Sequence, residues 1–120
     1  MINTLTLANG TIIEVANEDY SNEKIQNGEH LKLKQTGGWR LPSINELEFI
    51  FQMTHKKGKG NFRNEWYWSY ESYQVSWDYR VNMGYNFNDG TTNAIALSSG
   101  SISSGLSEAY IRLIRNIPTN

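Results

Sequence analysis

The chain has 120 residues, no cysteine and a formal net charge of −1. That length can bury a single core without staples, and the missing thiols exclude disulfides, thiolate catalysis and cysteine-ligated metals. The near-neutral balance argues against a nucleic-acid binder, whose footprint is a basic excess, and against a polybasic membrane-surface protein. The start, "MINTLTLANG", has neither the basic n-region nor the apolar h-region of a signal peptide. No apolar run approaches the roughly 18–20 residues of a membrane span. The expectation is one domain over residues 1–120, soluble and cytoplasmic, with release by lysis or a place in a larger particle as alternatives.

In chain order, "NTLTLANGTIIEV" reads as a hairpin: Leu5 and Leu7 alternate, Asn9-Gly10 turns, and Ile12, Ile13 and Val15 resume. Asn-Gly is the turn dipeptide that accepts positive φ at both central positions. The next segment, with Ser21 as a cap and Gly37-Gly38 as a stop, predicts an imperfect helix over roughly 22–35, weakened by Gly28. In "GGWRLPSINELEFI", Pro42 precedes a helix, Ser43 is its N-cap, and Glu46 falls at the capping-box spacing. Ile44, Leu47, Ile50 and Phe51 form one apolar stripe, with Phe49 and Met53 elsewhere on the wheel. The helix is expected over about 44–55, packed between layers.

From Asn61 onward the chain reads as strands and loops. "FRNEWYWSYESY" and "VSWDYRVNMGYNFNDGTT" are rich in aromatic and β-branched residues, and Asp89-Gly90 marks a second hairpin turn. "LSSGSISSGLS" is a Ser/Gly loop. "AYIRLIRNI" predicts a closing strand, with Ile111 and Leu113 on one face and Tyr110, Arg112 and Ile114 on the other.

Four blocks in order over residues 37–117 carry a resemblance: "GGWRLPSINELEFI", "GNFRNEWYWSYES", "WDYRVNMGYNFNDG" and "AYIRLIRNI". The chain resembles an uncharacterised bacterial domain family that includes the C-terminal domain of a collagen-like adhesin. That family's pattern runs Trp-Arg-Leu-Pro-Ser/Thr, then Tyr-Trp-Ser-Ser, then a terminal Val/Ile-Arg-x-Val/Ile-Arg. The resemblance implies an α+β fold of the C-type-lectin-like kind, distantly related to formylglycine-generating enzymes. It would have a small twisted antiparallel sheet with paired termini, one firm and one weak helix, and long binding loops. The chain departs from the pattern at Gly28, inside the family's first helix, and at Tyr70, where Ser is usual. It is read here without the adhesin's collagen-like stalk or a lipid anchor.

Enzyme chemistry finds little support. The related enzymes use cysteine, and no HExxH, Gly-x-Ser-x-Gly or phosphate-binding glycine loop is present. His30 and His55 stand apart from any such motif, and Glu18-Asp19 is the only adjacent carboxylate pair. No cofactor is expected. Asn86, Asn88 and Asp89 could suggest calcium, but the spacing is that of a hairpin turn and supplies few of the six to eight oxygens calcium takes. Lys56, Lys57, Lys59 and Arg63 form a basic loop, read as a solvated face beside a helix C-terminus.

Structural roles are expected for Trp39 (in the core), Arg40, Pro42, Ser43, Glu46, Trp68, Trp77 and Arg112. The functional signal is compositional: eight of the eleven Trp and Tyr residues lie between Trp66 and Tyr85, among Ser, Asn, Asp and Gly. Tyr and Trp give large contact area with few rotors, and Ser, Asn and Gly adapt their hydrogen bonds. Strict strand alternation forbids both Tyr67 and Trp68 from facing one core, so some tyrosines should be exposed. The expected ligand contacts are Tyr70, Tyr73, Tyr79, Tyr85, Asn86 and Asn88. The expected function is non-catalytic binding, with glycan favoured over a protein surface. The alternative is a recognition or assembly component of a phage or mobile element.

Overall fold

The computed structural model describes residues 3–33, 37–76, 79–92 and 108–118, with the side chains of 73–80 outside that description. It is an α+β arrangement of one main helix and antiparallel sheets. Strand β1 (Asn3–Thr6) pairs with β2 (Ile12–Val15), and β2 pairs in turn with the C-terminal β8 (Ile114–Ile117). Ile13, Val15 and Ile114 point from this sheet into one core, while Glu14 and Arg115 pair on its outer face at 2.6 Å. The β1–β2 connection is a three-residue loop, Ala8 to Gly10, one residue wider than a two-residue Asn-Gly turn with two positive φ angles. Leu7 N–H donates to the Thr11 carbonyl, Gly10 N–H to the Leu7 carbonyl, and only Gly10 takes positive φ. The Asn9 side chain supplies the rest by accepting from Thr11 N–H at 2.9 Å.

Over the described residues 22–33, the helix expected across 22–35 is absent. Ile25–Gln26 instead forms β3, paired with β7 (Glu108–Ala109), and Glu29–Lys32 is a single 3₁₀ turn. Gly28, at φ 94°, breaks the helical path between them. His30 then turns inward, its ring stacked on Trp68 at 4.1 Å and 9°. A long-range ring contact and a strand partner override a weak local helix preference.

Helix α1 (Ile44–Met53) begins where the Pro-Ser corner dictates. Ser43 Oγ accepts from Glu46 N–H at 3.0 Å, and Glu46 Oε1 accepts from Ser43 N–H at 2.8 Å. Leu47, Ile50 and Phe51 are buried in the first core, but Phe49 is half-buried and Met53 is 40% exposed. The helix therefore covers one layer and is not sandwiched between two.

The layer that is covered on both sides is β4 (Trp66–Ser76), paired with β5 (Tyr79–Asn86) and through it with β6 (Thr91–Thr92). Tyr67 and Trp68 are both fully buried. Alternation is obeyed, but each face has its own core: Tyr67 joins Ile13, Leu47 and Phe87, while Trp68 joins Leu41, Ala109 and Ile111. The register of β4 against β5 shifts between Trp68 and Ser72, where the buried Ser69 hydroxyl donates to the Met83 carbonyl at 2.9 Å.

The closing segment is not one strand. It breaks between β7 and β8, where Tyr110 leaves to bond the backbone of Trp66 and Trp68 at 2.9 Å each. The face assignment survives the break, since Ile111 and Leu113 meet the second core and Tyr110 and Ile114 the first.

Candidate functional site

Among the described residues, the members of the expected aromatic surface are divided between core and surface. Tyr85 is only 2% exposed and packs 5.6 Å from Phe51 and 5.7 Å from Phe87, so it is a core residue and no ligand contact. The side chains of Tyr73 and Tyr79, and the whole of Trp77, lie outside the described residues. Asn86 and Asn88 belong to the β5–β6 turn, where Asn86 Oδ1 accepts from Asn88 N–H at 2.8 Å. Asp89 Oδ1 accepts from both the N–H and the hydroxyl of Thr91. These oxygens hold the turn, and Gly90 beside them is obligatory: at φ +76°, a Cβ there would meet Phe51 at 2.9 Å.

Among the described residues, Tyr70 is the expected aromatic contact that stands exposed, at 53%. Its N–H donates to the Pro42 carbonyl at 3.0 Å, which fixes it beside the helix start. It lines a shallow cleft of about 530 Å³ with Leu7, Asn9, Arg40, Ser43, Asn45, Glu46 and Asn116. The walls come from rigid elements: the β1–β2 turn, the capped N-terminus of α1, and β8. Arg40 and Glu46 form a bidentate pair across the cleft floor, at 2.9 and 2.7 Å. Burial pushes the Glu46 carboxyl up, but the Arg40 guanidinium and the Ser43 N–H outweigh this and hold it below its ordinary range. The pair thus adds no net charge to the cleft.

The amides are oriented by their protein partners. Asn9 Oδ1 takes the Thr11 N–H, and Asn116 Oδ1 takes an Arg40 Nη2 proton at 2.7 Å. Both amide nitrogens are left as donors, and Asn45 is exposed with its whole amide available. The arrangement offers an aromatic face ringed by neutral hydrogen-bonding groups.

Trp39 differs from expectation. It is half-buried and belongs to neither core, and the Arg115 guanidinium stands 4.7 Å from its ring centre. Arg40 bonds Glu46 through its side chain and Ile114 through paired backbone bonds at 2.7 and 2.9 Å.

A second polar assembly joins residues that the sequence reading named only separately: the Glu18-Asp19 pair, Arg63 of the basic loop and Arg112 as a structural residue. Arg112, 1% exposed, uses all five of its guanidinium protons. Nε and Nη2 donate to Asp19 Oδ1 at 3.0 and 2.8 Å, and the others reach the Ala16, Gly60 and Asn61 carbonyls. The Tyr67 hydroxyl donates to Asp19 and accepts the Arg63 N–H at 3.0 Å, and burial pushes its ionisation upward. Arg63 Nε reaches Asp19 Oδ2 at 3.1 Å, so Arg63 belongs to this network and not to the basic loop. A polar cleft of about 430 Å³ lies above it, lined by Glu18, Asn22, Asn61 and Phe62. The signal available in the sequence was Arg112 itself, a charge within an apolar run that must find a partner if buried.

Among the described residues there is no cluster of three or more His, Asp or Glu placed to hold a metal. No helix there is long and apolar enough to cross a membrane. Comparisons with protein-family models, curated proteins and solved structures give no match to this chain.

Proposed function

We propose that the chain is a non-catalytic binding module of C-type-lectin-like architecture, and that its ligand is a neutral glycan held in the Tyr70 cleft. The observation that carries this reading is the exposed Tyr70 ring beside the Asn9, Asn45 and Asn116 amides. A pyranose presents an apolar C–H face and a rim of hydroxyls, and an amphipathic aromatic ring beside amide donors complements both. The Arg40–Glu46 pair neutralises the floor, which favours a hydroxyl-rich ligand over an ionic one. A shallow cleft on preorganised walls fits modest affinity. The lectin-like assignment is supported by the N-terminal hairpin and C-terminal strand sharing one sheet, by the Trp-Arg-Leu-Pro-Ser corner capping a single long helix, and by the small second sheet.

Among the described residues, the rival reading, an assembly interface built from the aromatic cluster, has less to draw on, because Tyr67, Trp68 and Tyr85 are buried within the chain itself. The test is a broad glycan array probed with wild type and Tyr70→Ala, in calcium and in chelator. A sugar class bound by wild type and lost in Tyr70→Ala supports the reading. A blank array, or binding indifferent to Tyr70, overturns it.

A further inference from the structure

Phe49 and Met53 are the apolar residues of α1 that neither core absorbs, and Phe49 is the one that lies toward the Tyr70 cleft. It lines a recess of about 310 Å³ with Leu7, Ala8, Asn9, Asn45 and Glu46, whose exposed surface is mostly apolar. Four of those residues, Leu7, Asn9, Asn45 and Glu46, also line the Tyr70 cleft. The two hollows therefore share their dividing walls and form one continuous surface, mixed polar and apolar around Tyr70 and mostly apolar around Phe49. Both sides are built on rigid parts. Phe49 sits mid-helix on a capped α1, and Leu7 and Ala8 sit in a turn closed by the Leu7–Thr11 and Gly10–Leu7 hydrogen bonds.

A ligand seated on Tyr70 that carried only hydroxyls would leave the Phe49 side wet and its apolar surface unmatched. Resting on the glycan reading above, we infer that the site takes an amphiphilic glycoside: a neutral sugar over Tyr70 whose apolar aglycone or acyl substituent lies in the Leu7–Ala8–Phe49 recess. The chemistry of the two halves selects this class. Amides and a ring face hold the head group, and aliphatic and aromatic side chains take the hydrocarbon. The volume exceeds what a single methyl fills, so affinity should climb with chain length over several carbons before it levels off. Each methylene removed from water is worth roughly a threefold to fourfold gain in affinity.

The experiment takes the sugar head that the array identifies and measures its methyl, butyl and hexyl glycosides by calorimetry, below their micelle concentrations. Wild type, Tyr70→Ala, Phe49→Ser and Ala8→Glu are compared. Ala8→Glu places a charge in the recess from an exposed position and removes no core contact, so it guards against a folding defect in Phe49→Ser. The expected result is at least tenfold tighter binding of the hexyl than the methyl glycoside by wild type. That gain should disappear in Phe49→Ser and Ala8→Glu, while both variants keep wild-type affinity for the methyl glycoside. Equal affinity for all chain lengths overturns the inference and leaves the glycan reading standing. A chain-length gain that survives both recess variants also overturns it. No sugar head on the array overturns the reading and the inference together.

Discussion

The Arg112 guanidinium and the Asp19 carboxylate meet at 2.8 Å across 93 residues of chain, and the arginine is buried. The pair ties the segment after β2 to the C-terminal run, while the same guanidinium grips the Gly60–Asn61 backbone and lies 4.0 Å from the Phe62 ring centre. Three stretches of the chain are thereby fixed around one charge. Removing one partner leaves the other charge buried and unpaired, which is the costly event for an internal ion pair.

Asp19→Ala is accordingly expected to destabilise the fold by about 3–5 kcal/mol in urea denaturation. Tyr67→Phe deletes one hydroxyl from the network and should cost less, about 1–2 kcal/mol. A loss below 1 kcal/mol for Asp19→Ala would mean that Arg112 finds water or another partner, and the network would not be the clamp described.

The helix cap makes a second, smaller test. Ser43→Ala removes the acceptor for Glu46 N–H and should cost about 1 kcal/mol. Glu46→Ala breaks the reciprocal bond and leaves Arg40 with Asn116 and the Leu41 carbonyl as partners, for about 1–2 kcal/mol. Because the Glu46 carboxyl titrates below its ordinary range, its contribution is present above that range and lost as pH falls through the folded value. Glu46→Gln should flatten the acid limb of the stability curve relative to wild type.

His30 sets a separate pH dependence. Its Nδ1 accepts from Gly28 N–H at 3.2 Å, and its buried Nε2 has no partner. Burial lowers its pKa from 6.5 to about 4, against a smaller opposing pull from the Gln26 backbone. In this window the unfolded chain binds the extra proton, so stability is full above pH 6.5 and falls as pH drops toward 4. The loss is roughly 3 kcal/mol across the window. His30→Leu should remove most of that slope in denaturation curves taken at half-unit pH steps; an unchanged slope assigns it to other groups.

Tyrosines 70 and 85 should separate binding from stability. Tyr85→Ala opens the first core and should cost about 3–5 kcal/mol. Tyr70→Ala, at an exposed site, should leave the melting temperature within a few degrees while abolishing glycan binding. If Tyr70→Ala instead melts early and Tyr85→Ala does not, their assignments to cleft and core are reversed.

The features legible in the sequence were the local ones. Ser43 and Glu46 sit three residues apart, and the capping box needs nothing beyond that spacing. Asn9-Gly10 and Asp89-Gly90 fall at real turns because positive φ is a property of single residues, although at each turn only the glycine uses it. The Ile111/Leu113 and Tyr110/Ile114 faces followed from alternation alone.

What tertiary structure decided were contacts with no local signature. Tyr67 and Trp68 are both buried because β4 has a core on either side, and no window of sequence reports how many layers a strand will meet. The 22–35 helix lost to a β3–β7 pairing with a partner more than eighty residues away and to the His30–Trp68 stack. Trp39 was placed in a core by its size, yet the Arg115 guanidinium covers it at the edge of the β-sheet. Above all, the Asp19–Arg112 pair and the shared walls of the Tyr70 and Phe49 hollows arise from segments distant in the chain brought together in space. Short-range sterics and hydrogen bonding write themselves into neighbouring residues, whereas burial, pairing and cleft shape depend on which distant surfaces the fold sets face to face.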